Sequence, residues 1–208
     1  MQQKSYKEWL GIHNRAAYIN SEWSREVFFG VAKKRKALFP KAKGNILDVG
    51  CGYGINFPYL IHADQITGID FSPVMIEKAR EVANRSTIPV DVWLGDAEAL
   101  DFPDNSFDTV ISSLSTCSFY DPIKALKEMG RVCKADGQIL LIEHGRSSWE
   151  WLGRYQDNTV HQQIEQGGCR WNQEPQNLIQ EAGLRILTAD RTLLGVFHTM
   201  VVAPAKNS

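Results

Sequence analysis

Apolar and polar residues alternate along the chain in a pattern that predicts short strands separated by amphipathic helices. The apolar runs that predict parallel strands cover residues 46–49, 65–70, 90–94, 107–112 and 138–144. Apolar residues at helical spacing predict helices over 72–83, 121–133 and 175–182. Residues 184–191 and 196–203 predict a closing antiparallel pair. This alternation predicts an α/β fold with a doubly wound, Rossmann-like sheet and helices on both faces, because crossovers between parallel strands are right-handed.

Two parts of the chain depart from that alternation. Residues 1–40 precede the first strand and predict an N-terminal helical segment, a lid or a docking element, with a helix starting at Ser21. This end is rich in aromatic residues, namely Tyr6, Trp9, Tyr18 and Trp23. In residues 145–172 the pattern weakens, which predicts an insertion before the last helix. With 208 residues and 43% hydrophobic content, the chain is predicted to form a single domain, residues 1–208.

A glycine-rich stretch follows the first strand and predicts a ligand-binding turn. Gly50, Gly52 and Gly54 allow a sharp turn and are expected to leave backbone N–H and C=O groups open to a ligand, before a helix that starts near Ile55. Ile55 stands where the dinucleotide fingerprint needs its third glycine, and no Walker loop is present. The carboxylate of Asp48 opposes a diphosphate and favours a cationic ligand. S-adenosylmethionine fits, since it has an adenosine part, a positive charge and no phosphate.

Four motifs in order carry a resemblance to a known family. They are Leu47-Asp48-Val49-Gly50-Cys51-Gly52-Tyr53-Gly54, Gly68-Ile69-Asp70-Phe71-Ser72, Gly95-Asp96-Ala97-Glu98 and Phe107-Asp108-Thr109-Val110. The chain resembles class I S-adenosylmethionine-dependent methyltransferases, and within them the type-11 domain of ubiquinone/menaquinone biosynthesis methyltransferases. The stretch Lys33–Phe39, Glu143-His144 and Gly167-Gly168-Cys169 are also similar to the group that contains animal thiol methyltransferases. The resemblance implies seven strands in the order 3-2-1-4-5-7-6, with strand 7 antiparallel.

The cofactor site is expected at the carboxyl ends of strands one to four. Asp70 ends the second strand, where an acid accepts hydrogen bonds from ribose hydroxyls, and Phe71 and Met75 are placed to pack on the adenine. The resemblance implies that Asp96 binds the adenine amino group and that the Ala97 N–H binds a ring nitrogen. The full set of cofactor-binding candidates is Asp48, Gly50, Cys51, Gly52, Asp70, Phe71, Met75, Asp96, Ala97 and Ser113.

Methyl transfer from a sulfonium is a one-step displacement, which needs alignment and exclusion of water rather than a metal. His144, at the end of the fifth strand, is the candidate general base for acceptors that must lose a proton, while a structural role for this histidine is the competing interpretation. The cysteines Cys51, Cys117, Cys133 and Cys169 are scattered without metal-ligand spacing, so no metal site is predicted. Residues 145–172 are expected on the acceptor side.

The charge and composition of the chain limit the kinds of partner that it is expected to bind. A formal charge of −1 and the lack of a basic stripe argue against nucleic acid, and the amino terminus lacks the apolar core of a signal peptide, so a soluble cytoplasmic protein is predicted. The basic run Lys33, Lys34, Arg35 and Lys36 has three interpretations: a solvated helix face, contact with the methionine carboxylate, or peripheral contact with anionic lipid.

Three functions are therefore open: a methyltransferase of small apolar, thiol-type or phenol-type acceptors, a phospholipid head-group N-methyltransferase at the membrane surface, or a non-catalytic S-adenosylmethionine-binding protein. The first is favoured because the lid candidates are aromatic and the chain is not basic. The pattern leaves the acceptor atom and the oligomeric state open.

Overall fold

The computed structural model describes the backbone of residues 5–19 and 30–205, and the side chains of residues 5–12 and 30–205. Over these ranges seven strands form one sheet. The strands are β1 (Lys43–Val49), β2 (His62–Asp70), β3 (Val90–Leu94), β4 (Phe107–Ser113), β5 (Cys133–His144), β6 (Arg185–Thr192) and β7 (Phe197–Ala203). The helices are α1 (Tyr6–Ile19), α2 (Val31–Leu38), α3 (Pro73–Ala83), α4 (Pro122–Val132), α5 (Glu150–Gly167) and α6 (Pro175–Glu181).

The strand order is β3-β2-β1-β4-β5-β7-β6. Strands β1 to β5 are parallel to their neighbours, and β7 runs antiparallel to both β5 and β6. The order and direction expected from the resemblance are therefore confirmed. Because β1 and β4 lie side by side at the centre while the chain leaves them in opposite directions, a cleft opens above their carboxyl ends.

Each face of the sheet carries its own apolar core. Side chains on one strand alternate between the faces, so Leu47 and Val49 pack with α4 and α6, whereas Ile46 packs with α2 and α3. The central residues of β5 are fully buried, since helices cover both faces. This rigid centre holds the ends of β1, β4 and β5 in fixed positions.

The crossover from β1 to β2 differs from the prediction. The expected helix from Ile55 is absent, and a single 3₁₀ turn, Phe57–Tyr59, takes its place. β2 starts at His62, so too few residues separate it from the glycine turn for an α-helix of ordinary length. Cys133 is buried, and it is the first residue of β5 rather than the last residue of the helix predicted over 121–133.

The two regions that broke the strand and helix pattern are largely helical where the structure describes them. Residues 150–167 form α5, the longest helix of the described chain, within the expected insertion 145–172. Of the helix predicted from Ser21, the structure describes only the last part, as α2 from Val31, while Ser21 and Trp23 lie outside the described residues. Gly30, with φ of 68°, is left-handed and precedes α2, so a continuous helix from Ser21 to Leu38 is wrong. Within the described ranges, every helix is too short or too polar to cross a membrane.

Candidate active site

The glycine turn after β1 has the backbone geometry that its sequence predicts. Gly50, Gly52 and Gly54 have φ angles of 71°, 54° and 81°, in the left-handed region that favours glycine. A Cβ on Gly50 would lie 2.7 Å from the side chain of Ser115, whose hydroxyl donates to the Gly50 carbonyl at 3.1 Å. The glycine turn is therefore packed directly against the loop that follows β4.

The backbone N–H groups of this turn are less open than expected. Gly50 and Cys51 both donate to the Ile69 carbonyl at 2.9 Å, Gly52 donates to Asp70, and Gly54 donates to the Cys51 carbonyl. These four donors are bonded within the protein, so the expectation of free N–H groups at these positions is wrong. The Cys51 side chain is buried and fills space beneath the turn.

Asp70 is held rigidly at the end of β2. One carboxylate oxygen accepts from the Gly52 N–H at 3.0 Å and the other accepts from the Ser72 N–H at 2.9 Å. Burial raises the pKa of Asp70, while the backbone donors oppose that shift. Asp70 thus fixes both turns. Phe71 is a third backbone donor to this carboxylate, which has about four lone-pair positions in all, and binding of ribose hydroxyls by Asp70 stays a prediction.

A buried polar chain links Asp48 to α2. The side-chain amide of Asn56 donates to both Asp48 oxygens, at 3.0 and 3.1 Å. Arg35 Nε donates to the Asn56 carbonyl oxygen at 2.7 Å, and Arg35 also donates to the Ser113 hydroxyl at 2.9 Å. Burial raises the pKa of Asp48 to about 7, although Asn56 and Arg35 oppose the shift. With its carboxylate fully buried, Asp48 influences a ligand through its charge and through Asn56.

Asn56 is a candidate site residue that the sequence analysis missed, and Arg35 is one that it considered only as part of the basic run. Arg35 is only 2% exposed, so the interpretation of the whole basic run as a solvated or lipid-binding face is wrong for this residue. Lys33 and Lys36 are exposed, and Lys34 is half-buried. The spacing did contain the signal, because Arg35 lies four residues after Val31 and three before Leu38, both buried on the same helix face.

The loop after β3 is covered by the N-terminal helix. Asp96 accepts from the Glu98 N–H at 2.8 Å and from the Tyr6 hydroxyl at 2.6 Å. Burial together with this bond raises the pKa of Tyr6. Ala97 is buried in the same loop. An adenine amino group bound by Asp96 would therefore share the carboxylate with Tyr6.

Helix α1 also reaches the opposite side of the cleft. Trp9 is 4% exposed, and its indole N–H donates to the Ser118 carbonyl at 2.8 Å. The Tyr120 ring lies edge-on to Tyr6 and Trp9, with centroids 5.6 and 6.3 Å apart, and the Arg170 guanidinium sits 4.0 Å from the Trp9 centroid. Aromatic rings thus lie over the carboxyl ends of the strands, where a lid was predicted. Phe71 and Met75 are half-buried beside the Asp70 turn.

A second constellation lies after β4 and β5. His144 Nε2 is 3.3 Å from Cys169 Sγ, and Cys117 Sγ belongs to the same cluster. The contact with Cys169 and the His144 charge lower the pKa of Cys117, and Cys117 raises that of His144 although burial opposes the rise. The cysteines that appear scattered in the sequence are therefore partly assembled by the fold. The general-base role of His144 stays a prediction.

The geometry brings most of the predicted cofactor residues to one rim. Asp70, the glycine turn, the Asp96–Ala97 loop and Ser113 all lie at the carboxyl ends of β1 to β4. S-adenosylmethionine fits such a rim. It offers hydroxyls to carboxylates, an adenine to half-buried apolar side chains, and a carboxylate to a buried arginine.

Residues 47–141 match the family model described as a methyltransferase domain. The mitochondrial methyltransferase OMS1 of Saccharomyces cerevisiae is 32% identical over 215 residues, which cover 94% of this chain and 45% of that protein. A phosphatidylethanolamine N-methyltransferase of Cereibacter sphaeroides is 35% identical over 144 residues, or 68% of this chain and 66% of that protein. The chain therefore spans between about half and two thirds of the length of these curated relatives.

Among solved structures, the YcgJ protein of Bacillus subtilis superposes with a TM-score of 0.68 at 17% identity, covering 87% of this chain and 100% of that one. At this identity the likeness shows the fold alone. Together with the matched domain and the curated relatives, it shows that the chain belongs to the class I S-adenosylmethionine-dependent methyltransferases.

Proposed function

We propose that this chain transfers the methyl group of S-adenosylmethionine to a small apolar acceptor of the thiol or phenol type. The observation that carries the proposal is the aromatic cover formed by Tyr6, Trp9 and Tyr120 over the carboxyl ends of the strands. A cover of aromatic rings favours an uncharged, apolar acceptor and excludes water from the transfer.

The described side chains have separate tasks in such a transfer. Asp70 would bind the ribose hydroxyls, Asp96 and the Ala97 N–H would bind the adenine, and Arg35 would bind the methionine carboxylate. Asp48 would favour a sulfonium through its charge. The bound cofactor supplies an activated methyl group, so the protein has to align the acceptor atom with it rather than generate a strong nucleophile.

Methylation of phospholipid head groups at a membrane surface is the second candidate. Trp149 and Trp151, at the start of α5, are 53% and 63% exposed, and Leu193 and Leu194 are exposed at the tip of the β6–β7 hairpin. The Ser148 N–H donates to the Leu194 carbonyl at 3.0 Å. This bond holds the start of α5, with its two exposed tryptophans, next to the two exposed leucines of the hairpin tip.

Charge lies next to this apolar surface. A cleft of about 450 Å³ between α2 and the hairpin is lined by Lys33, Lys34 and Leu193. Exposed tryptophans beside lysines suit a membrane interface. The relative named as a phosphatidylethanolamine N-methyltransferase adds support to this candidate.

Release of S-adenosylhomocysteine from acceptor panels decides between the candidates. The purified protein is incubated with S-adenosylmethionine and thiols, phenols, quinol precursors or amines in solution, and separately with phosphatidylethanolamine vesicles. Turnover with a soluble thiol or phenol supports the first candidate. Turnover only with vesicles overturns the first candidate in favour of the second. If none of the acceptors in either panel is methylated, the result indicates a non-catalytic binding protein.

A matched pair of variants checks the membrane contact. Lys33→Ala combined with Lys34→Ala removes both cleft lysines, whereas Lys36→Ala removes an exposed lysine of the same helix that does not line the cleft. If head groups are the acceptors, sedimentation with anionic vesicles should fall for the double variant and stay near the parent level for Lys36→Ala, since each basic residue near the surface contributes about 1 kcal/mol.

A further inference from the structure

Three soft metal-binding side chains meet at the acceptor side of the cleft. Cys117 Sγ, His144 Nε2 and Cys169 Sγ all lie within 4.8 Å of one another, and the His144–Cys169 pair is 3.3 Å apart. The three residues come from separate parts of the chain: the loop after β4, the end of β5, and the segment after α5. Neither the cofactor site nor the proposed transfer uses the two thiols.

The fold holds these segments together by several independent contacts. Gly168, with φ of 67°, ends α5 in a left-handed turn, after which Cys169 and Arg170 run beside the loop that carries Cys117. The Arg170 N–H donates to the Cys117 carbonyl at 3.1 Å, and its guanidinium donates to the carbonyls of Phe119 and Tyr120 at 2.6 and 3.1 Å. The segments that carry Cys117 Sγ and Cys169 Sγ are therefore fixed to each other through Arg170.

The loop with Cys117 is also fixed from below. Glu143 is fully buried and accepts from the N–H groups of Ser115 and Thr116 at 3.4 Å. Because Glu143 precedes His144 in β5, this carboxylate ties the Cys117 loop to the strand that carries the imidazole. The cluster is consequently built into the protein rather than formed by chance contact of mobile side chains.

We propose that Cys117, His144 and Cys169 form a Zn²⁺-binding site. Zn–S bonds of about 2.3 Å and Zn–N bonds of about 2.0 Å place neighbouring tetrahedral ligand atoms roughly 3.5 to 3.8 Å apart. The His144–Cys169 pair, at 3.3 Å, needs to open by about 0.2 Å, and the other two pairs, which lie within 4.8 Å, need to close by no more than about 1.3 Å. Two thiolates and a neutral imidazole favour zinc over hard cations such as Mg²⁺ and Ca²⁺.

Three protein ligands leave the fourth position of the ion for water or another donor. Cys169 and His144 are half-buried whereas Cys117 is buried, so solvent reaches the cluster from the side of Cys169 and His144. Binding releases the thiol protons to solvent, because the ligands are thiolates. As a zinc ligand, His144 would not be the general base considered above.

Cobalt and zinc titrations of the full chain test the site without any methyl acceptor. The protein is reduced, freed of metal with a chelator and titrated with Co²⁺, which reports thiolate ligation through a sulfur-to-cobalt charge-transfer band and four-coordinate geometry through its visible bands. We expect one Co²⁺ per chain and displacement by Zn²⁺. Loss of a residue that only hydrogen-bonds to a zinc ligand costs about 10- to 100-fold in metal affinity. Because Cys169 is a direct ligand in this proposal, Cys169→Ser should weaken Zn²⁺ binding by at least about 100-fold.

Cys133→Ala is the matched control, because Cys133 is a buried cysteine at the opposite end of β5 from His144. It should keep both the cobalt bands and the zinc affinity. His144→Gln provides a second variant in case Cys169→Ser does not fold, with circular dichroism confirming the fold of each. No charge-transfer band in the reduced parent protein, or a band unchanged in both ligand variants, would overturn the proposal. S-adenosylmethionine binding by the same samples shows separately whether the cofactor site is intact.

Discussion

Replacing Asp48 by Asn should change how stability depends on pH. Asp48 is fully buried, and its pKa is about 7 in the folded protein against an ordinary value of 3.8. Because the folded pKa lies above the unfolded one, protonation of Asp48 stabilises the fold. This contribution is fully present below the unfolded pKa and is lost as the pH rises through about 7.

The magnitude follows from the two pKa values. At about pH 5 the folded chain holds the Asp48 proton and the unfolded chain has mostly released it, whereas at about pH 8 both have released it. The free energy of unfolding should therefore fall by roughly 2 to 3 kcal/mol over that range on account of Asp48 alone. Asparagine has the same shape and no proton to lose, so Asp48→Asn should remove this share of the pH dependence.

Urea unfolding of both proteins at several pH values between these limits provides the measurement. The free-energy difference between parent and Asp48→Asn should shift by roughly 2 to 3 kcal/mol in favour of the variant as the pH rises. Asp108→Asn is the control. Contact with Lys134 lowers the pKa of Asp108, so this carboxylate is ionised in both the folded and the unfolded protein throughout the pH range. Parallel pH profiles for the parent protein and Asp48→Asn would refute the assignment of a proton to Asp48.

Three further predictions concern the cofactor site and its cover. Asp70→Ala should weaken S-adenosylmethionine binding by about 1.5 to 3 kcal/mol in calorimetry, while the exposed Asp64→Ala in the same strand should not; equal affinities would contradict the ribose role. Arg35→Met should lower the free energy of unfolding by about 3 kcal/mol and weaken cofactor binding, whereas Lys36→Met should change neither quantity. If Arg35→Met left both quantities unchanged, the buried contacts of Arg35 would contribute nothing to stability or to cofactor binding. Deleting residues 1–24 should leave a cooperatively folded domain with impaired turnover, since the buried α1 side chains Trp9 and Ile12 belong to neither core cluster; full activity would rule out a lid, and loss of folding would place α1 in the core.

The strands and the glycine turn were predictable because they depend on local pattern, whereas the strand order and the roles of Asp96 and Ala97 were implied by the family resemblance. β3 has the bounds that its apolar run predicts, and the three glycines turn where their spacing requires. The failed helix at Ile55 has a physical reason: the apolar pattern after the glycine turn fits a helix, but Pro58 and the early start of β2 leave room for one 3₁₀ turn. Local pattern does not report how soon the next strand must start.

The two polar constellations depend on tertiary proximity and were predictable only in part. Arg35 shares a helix face with Val31 and Leu38, so its burial was encoded in the spacing. Cys117 and His144 follow strands that are neighbours in the predicted order, and that order alone places them at one edge of the sheet. The position of Cys169 depends on the path of the chain beyond α5, which no strand or helix pattern specified.

The bonded glycine turn determines which ligands this rim rejects. A dinucleotide site holds pyrophosphate with free N–H groups and the positive end of the helix that follows the first strand. Here the N–H groups of Gly50, Cys51, Gly52 and Gly54 are already bonded, a 3₁₀ turn replaces the helix, and Asp48 places a carboxylate beneath. Nucleotides and redox coenzymes share the adenosine group with S-adenosylmethionine, yet their phosphates would lose water here and find none of these four N–H groups available in exchange. Selectivity between adenosine-containing ligands thus results from a turn whose N–H groups are bonded within the protein and do not donate to a ligand.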